Sequence, residues 1–421
     1  MARSRRRLKK KIFRTFILLL FLVAIVGSAL YFKDYFKSDS KEPIKTNINK
    51  KVKKVIKEKW PKEQTISLIA TGDGLIHNTL ADYAKTADGY DFSPYLTEIK
   101  DIVDDFDIAY YNQETAVGKI NGQYSFYPTF NVPSEYPDAM IDTGFNLVSL
   151  ASNHSFDKGE TGVKNSMEYW NTKKDNVVFN GMALSEEERN NYQIGEKNGI
   201  TYAMLSYTYG LNGFNLPSGK SYLVNVFNKD VAQKDIEALK DKVDLLIVAM
   251  HWGVEYQLTP NETQKEQASW LASQGVDIII GNHPHCLQPI EWIDDTLVIY
   301  SLGNFISNQG ILSYGTYGYG NAIKGQIGAF AEMDITKTTN EDQTSSIKID
   351  NLKVDLLFTY RNSKESYYKV LPFSKINSEY LANYPNVYDK HYYLANYQET
   401  YNSYKGVIQK IDSTINVLPT A

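Results

Sequence analysis

A single cysteine, Cys286, in 421 residues excludes an intramolecular disulfide framework, so stability must come from a packed core or from bound ligands. Histidine is nearly as scarce, at six. Basic blocks are missing beyond residue 64. Without the eight positive charges of Met1–Arg14, the chain holds 37 basic residues against 49 acidic ones, a net charge of −12, which argues against nucleic acid as a partner. Long apolar runs are missing too, with one exception.

That exception is Thr15–Phe32, TFILLLFLVAIVGSALYF, which carries no charge and follows the basic segment 1–14. Eighteen helical residues cover about 27 Å, close to the hydrocarbon thickness of a bilayer. A transmembrane helix over 15–32 is therefore expected, with the N-terminus cytoplasmic and everything after Phe32 outside the cell. An uncleaved signal anchor fits better than a cleaved signal peptide, because the run is long for such a peptide and Gly27-Ser28-Ala29 is only a weak cleavage site. Residues 33–64 are Lys-rich and polar. They read as an extracellular stem, either lying near anionic headgroups or wall polymers or simply solvated.

From Thr65 onward, short β-branched runs alternate with helix-like sequence, the βα pattern of an α/β fold whose sheet is buried on both faces. ISLIATG, DFDIAYYNQET, FNLVSLASNHS, DKVDLLIVAMHWG, GVDIIIGNHPH and TLVIYSLGNF supply the strands. Helices are expected around LADYAKTADG, YPDAMIDTG and NETQKEQASWLASQG. Asn191–Phe227 reads as short antiparallel-like strands. The alternating sequence after Ile323 predicts a second β-rich layer that completes a two-sheet core, and residues 65–376 then form the main domain. Residues 377–421 form a helical extension holding many of the 32 tyrosines, for which packing on the domain is a better reading than polymer contact.

Five of the six histidines fall in polar clusters beside these strands: Asp73 with His77, Asn153-His154, His251, and His283-Pro284-His285. Imidazoles gathered with hard oxygens form a ligand set for Zn, Mn or Fe, and Glu114 in YNQET adds a further oxygen. His283 and His285, two apart in an extended segment, are expected to face the same way. By the same alternation Cys286 reads as a small buried side chain, not as a ligand. His154 suits either ligation or general acid catalysis, with Asp157 holding its ring or capping a helix. Trp252, Glu255 and Asn304 are expected to shape the surrounding pocket. His391 stands outside the pattern.

The ordered blocks TGDGLIH, NQET, SNHSFDKG, HWGVEY, GNHPH and YSLGNF, spread over residues 66–310, resemble the bacterial capsule-synthesis proteins of the CapA/PgsA type. That family is tied to poly-gamma-glutamate export or anchoring and is related to calcineurin-like metallophosphoesterases. The resemblance implies a four-layer fold, two packed β-sheets flanked by helices, around two divalent metal ions. Asp73, His77 and His285 would hold one ion and Asn153, His251 and His283 the other, with Glu114 between them and His154 as catalytic acid. Two features differ from the wider superfamily: His77 follows Asp73 by four residues instead of two, and a Glu replaces an Asp at the bridging position. The implied partners are an anionic polymer such as poly-gamma-glutamate, membrane-embedded synthesis or export proteins, and the lipid bilayer.

Three functions stay open on these residues. The first is an accessory protein for making, exporting or anchoring an anionic capsular polymer. The second is a surface metallohydrolase unrelated to capsule, and the third a non-catalytic, metal-dependent polymer binder. An enzyme here would be a metal-dependent hydrolase, acting on a phosphoester or cleaving or transferring an amide.

Overall fold

The structure, a computed structural model, describes residues 60–309, 323–384 and 396–421. The basic segment, the apolar span, nearly all of the stem and His391 lie outside the described residues. Among the described residues no helix is long and apolar enough to cross a membrane.

Two sheets are built from the βα repeats. The first runs β14-β13-β12-β1-β2-β3-β4, where β1 is Lys62–Leu75, β2 Ile108–Gln113, β3 Leu147–Ser149, β4 Val178–Asn180, β12 Ile327–Thr339, β13 Ser345–Asn362 and β14 Tyr367–Pro372, and β11 (Asn304–Ser307) pairs with the end of β1. The second runs β5-β6-β7-β8-β10-β9, from β5 (Gly195–Lys197), β6 (Ile200–Thr208), β7 (Leu245–His251), β8 (Ile278–Asn282), β9 (Ile290–Ile293) and β10 (Thr296–Ile299). Strands β1 to β4 are mutually parallel, as are β6, β7, β8 and β10.

Strand parity explains the layers. In β1, Ile66, Leu68 and Ala70 join Leu245, Ile247 and Ala249 of β7 and Ile278 and Ile280 of β8 in one core between the sheets. The intervening Ile69 packs instead with Leu80, Met140, Val163 and Met167 on the helix-covered face. On the far side Leu246, Val248 and Ile279 meet Ile236, Leu239, Ala268 and Leu271. The result is helix, sheet, sheet, helix, and burial of both sheet faces is why the strands read as near-continuous apolar runs. The helix Glu262–Ser273 starts with a capping box, Asn261 accepting from the Gln264 amide and Gln264 reaching back.

Two expectations need correction. The alternating strands after Ile323 do not make the second sheet; β12 pairs antiparallel with Lys62–Ala70 of β1 and so extends the first. Residues of β1 before the crevice would otherwise leave an open edge. The second sheet comes from the middle of the chain, and within Asn191–Phe227 only β5 and β6 are antiparallel, β6 being a parallel neighbour of β7. The C-terminal tail folds back. Tyr401, Tyr404 and Ile408 of the helix Tyr397–Ile408 are buried, and β15 (Asn416–Val417) adds a parallel pair to β13.

Candidate metal centre

Parallel strands from both sheets end at one crevice, and parity decides what they place there. Ile108 and Tyr110 of β2 face the inter-sheet core, so Asn112 does too, and Asn282 follows Ile278 and Ile280 of β8 in the same way. Asp73 would break this rule, because it is odd-numbered after Leu68 and Ala70. A bulge corrects it: Ala70 pairs with Tyr110 but Asp73 pairs with Asn112, so β1 spends one extra residue and Asp73 swings inward. Gly72 makes that bulge possible, since a Cβ there would lie 1.8 Å from the Gly303 carbonyl oxygen.

The inward residues form a tight set. His285 Nδ1 lies 3.2 Å from an Asp73 oxygen, and its Nε2 lies 3.6 Å from Glu114 Oε1. His251 Nε2 is 3.9 Å from the same Glu114 oxygen and 2.9 Å from Asn153 Oδ1. The His251 and His283 rings are 4.9 Å apart, and those of His283 and His285 5.8 Å. Two groups of three place all their donor atoms within 4.8 Å of one another: Asp73, Glu114 and His285, and Glu255, His283 and His285. Distant parts of the chain meet here.

Chemistry separates these groups from ordinary buried polar side chains. Both oxygens of Glu114 and Nδ1 of His283 are buried without a hydrogen-bond partner, a pattern that points to an ion. Burial, together with the surrounding imidazoles, pushes the His251 and His283 pKa values well below the ordinary value, leaving neutral rings with lone pairs to give. Burial pushes the Glu114 carboxyl well up, against the pull of His285. Burial opposes a charge on His285, but Glu114 and Asp73 outweigh it and raise its pKa to about 10. Nitrogen and oxygen donors of this kind fit divalent Mn, Zn or Fe.

Other sequence-predicted residues lie around or beyond these groups. His77 is buried, with its pKa lowered to about 3 by burial, but its Nδ1 faces the Leu75 carbonyl at 3.3 Å and it belongs to neither three-residue group. The His283-Pro284-His285 run is not extended: β8 stops at Asn282, and both histidines adopt positive φ, +95° and +54°. Backbone strain, not strand alternation, brings the two rings together. Trp252 does not line the pocket; one residue past His251 it points to the helix-covered face, where its indole donates to the Tyr300 carbonyl at 3.0 Å. Cys286 is a buried thiol, pushed up to about 12 by burial and directed at the Gln257 carbonyl. Asn304 accepts from His285 Nδ1 at 3.0 Å.

His154 Nδ1 sits 2.7 Å from Asp157 Oδ2, which also accepts from the Phe130 amide, and the following helix Gly159–Trp170 begins after Lys158 without a side-chain cap. Asp157 therefore holds the ring instead of capping the helix. Residues not foreseen complete the surroundings. Asn112 donates to Asp73 Oδ1 at 2.9 Å, Asn212 accepts from Asn153 Nδ2 at 3.1 Å, and the half-exposed Tyr209 ring lies 4.7 Å from His283. Counting parity from Ile108 would have found Asn112; nothing in LNGF singles out Asn212.

Comparison with known proteins bears on this arrangement. Residues 67–309, more than half of the chain, match the family described as bacterial capsule synthesis protein PGA_cap. The chain belongs to this family. Two curated relatives are similar to part of this chain: a PGA biosynthesis protein CapA from Bacillus subtilis (strain 168), 34% identical over 177 residues, and a capsule biosynthesis protein CapA from Bacillus anthracis, 31% identical over 176. These alignments take in 40% and 41% of this chain, and span 44% and 42% of the relatives' own lengths. Among solved structures, the capsule-family chain is distantly similar to the calcineurin-like phosphoesterase YfkN from Bacillus subtilis (16% identity, 72% of this chain and 95% of that one, TM-score 0.36). It is also similar to the sulfate thiohydrolase SoxB from Thermus thermophilus (13%, 78% and 48%, TM-score 0.37).

Proposed function

We propose that this capsule-family chain is a membrane-anchored, outward-facing accessory protein for synthesis, export or anchoring of an anionic polymer of the poly-gamma-glutamate type, and that its crevice is a divalent metal centre. Family membership and the names of its Bacillus relatives support the pathway. The basic segment before the apolar run of residues 15–32 supports the anchor and its direction, and with it the bilayer and membrane-embedded synthesis or export proteins as partners. The observation that carries the centre is Glu114: a carboxylate with no exposed surface and no hydrogen-bond partner on either oxygen, between the Nε2 atoms of His251 and His285.

Asp73, Glu114 and His285 would hold one cation, and Asn153, His251 and His283 a second, with Glu114 reaching both. Bound there, divalent ions supply Lewis acidity, activation of water and neutralisation of developing negative charge. The chain's own contribution is placement of a proton. Asn212 Nδ2 approaches His154 Nδ1 at 3.3 Å, but the Asp157 carboxylate at 2.7 Å is the stronger claim on that nitrogen and fixes the proton there. Nε2 is then the nitrogen that exchanges a proton with a leaving oxygen or nitrogen. A geared His-Asp pair of this kind favours hydrolytic use over passive binding.

The test is metal analysis of the full-length protein in detergent after loading with Mn, Zn or Fe, followed by phosphomonoester, phosphodiester and poly-gamma-glutamate assays. Cations are expected to bind, and His154→Ala to keep them while turnover drops by roughly 10²–10⁴-fold. Absence of any bound cation would reject the centre. Bound cations without turnover on any of the three substrates would reject hydrolysis and leave metal-dependent polymer binding.

A further inference from the structure

The loop after β7 carries a feature that the family resemblance did not assign. Trp252 donates its amide to the Asn282 carbonyl at 3.0 Å, and Tyr256 donates to the Pro284 carbonyl at 2.7 Å, so residues 252–256 are tied at both ends to the segment bearing His283 and His285. Between these ties Gly253 takes φ +89° and Tyr256 φ +64°, which folds the loop back on itself. A Cβ on Gly253 would also come within 2.7 Å of the Gln264 side chain, the residue that completes the capping box beneath it. Lys324 holds the far end through the Tyr256 carbonyl at 3.1 Å. The loop is built.

What it delivers is Glu255. This carboxylate is exposed, whereas His283 and His285 are buried, yet one of its oxygens lies with donor nitrogens of both histidines inside a 4.8 Å group. His283 independently offers Nδ1, buried and without a hydrogen-bond partner. The other carboxylates of the centre, Asp73 and Glu114, have no exposed surface. His77, the residue that the resemblance would add to the ligand set, keeps its Nδ1 beside the Leu75 carbonyl and the Ser307 hydroxyl and belongs to neither three-residue group.

We propose that Glu255 is a displaceable metal ligand: it closes the centre on the solvent side next to His283 and His285, and it yields to an anionic group of the incoming substrate. This rests on the metal reading above. A side-chain carboxylate at the mouth has the same charge and donor atoms as a glutamyl carboxylate or a phosphoryl oxygen, so protein and substrate compete for one position. The buried carboxylates Asp73 and Glu114 do not play this part, because neither has exposed surface to trade with an incoming group.

The experiment compares full-length wild type with Glu255→Gln in detergent. Glutamine keeps the size of the side chain at an exposed site, so folding should be kept. Co²⁺ is titrated by calorimetry and by its visible absorption, and inorganic phosphate is then titrated into the Co²⁺-loaded proteins. In E255Q, Co²⁺ affinity at one site should fall by roughly 10–100-fold, the range seen when groups supporting a metal are removed. Phosphate should bind the loaded variant more tightly than it binds loaded wild type, since no internal carboxylate opposes it. Wild type and E255Q that share either affinity within about twofold overturn the proposal while the centre stands. Wild type that takes up no Co²⁺ overturns the centre and Glu255 with it.

Discussion

Buried carboxylates in two regions of this molecule are treated in opposite ways. On the flank of the second sheet, Asp235 receives both arms of the Arg189 guanidinium, at 2.7 and 2.6 Å, and the Tyr192 and Tyr207 hydroxyls, each at 2.6 Å. At the strand ends of the crevice, Glu114 is more deeply buried and receives no hydrogen bond on either oxygen, the nearest imidazole nitrogens standing 3.6 and 3.9 Å away. A fold able to surround one acid with four donors can surround another. Leaving Glu114 bare has a cost that makes sense only if a cation offsets it. Unsatisfied polarity thus separates a working site from a strut more sharply than burial does.

Mutating each acid should break that contrast in opposite directions. Asp235→Ala leaves a mostly buried guanidinium without its partner and should cost about 3–5 kcal/mol, read from urea denaturation of the metal-free protein. A loss below about 1 kcal/mol would show that the Arg189 pair is ornamental and that the comparison is empty. Glu114→Gln should instead leave the metal-free melting temperature unchanged or raised, because the amide replaces a buried carboxyl that accepts no hydrogen bond and that burial already disfavours in its charged form. Its damage should be to cation uptake, weakened by about 100-fold or more as a carboxylate between two sites is lost. A metal-free E114Q protein melting well below wild type would mean that Glu114 is structural after all.

Much of this contrast could be read before any coordinates. Asp73, Glu114, Asn153, His251 and the His283/His285 pair stand out because polar residues at the ends of β-branched runs have few structural reasons to be there. The βα pattern also foretold strands buried on both faces, and the family resemblance implied the four layers, whereas the alternating sequence after Ile323 was assigned to the wrong sheet. What stayed hidden depends on register. The extra residue between Ala70 and Asp73, the positive φ of His283 and His285, and the pairing of β12 with β1 are each set by contacts between segments far apart in sequence. Trp252 was misplaced for the same reason, since the crevice ends at His251 and the next residue faces the other way. Sequence also could not show that the His77 Nδ1 meets the Leu75 carbonyl, a contact that sets the orientation of the ring.

A third acid sharpens the comparison by lying between the extremes. Asp355, in β13, is buried and accepts from the amide and hydroxyl of Ser374, two neutral donors and no cation. Burial raises its pKa to about 7, with Ser374 and Lys375 only partly opposing and Glu332 adding to the rise. The folded protein therefore binds more protons at this position than the unfolded chain does between about pH 3.9 and 7. Stability that Asp355 contributes in its neutral form should be complete below that window and should be lost as pH rises through about 7. Asp355→Asn keeps a neutral group that Ser374 can still pair with, so the variant should gain on wild type from about pH 4 to 7 and level off above that. Melting curves in chelator, with wild type subtracted from variant at each pH, isolate this effect because every other group titrates equally in both. A difference that stays flat would mean that two neutral donors satisfy a buried carboxylate as fully as the Arg189 fork does, and the ranking from Asp235 through Asp355 to Glu114 would lose its middle step.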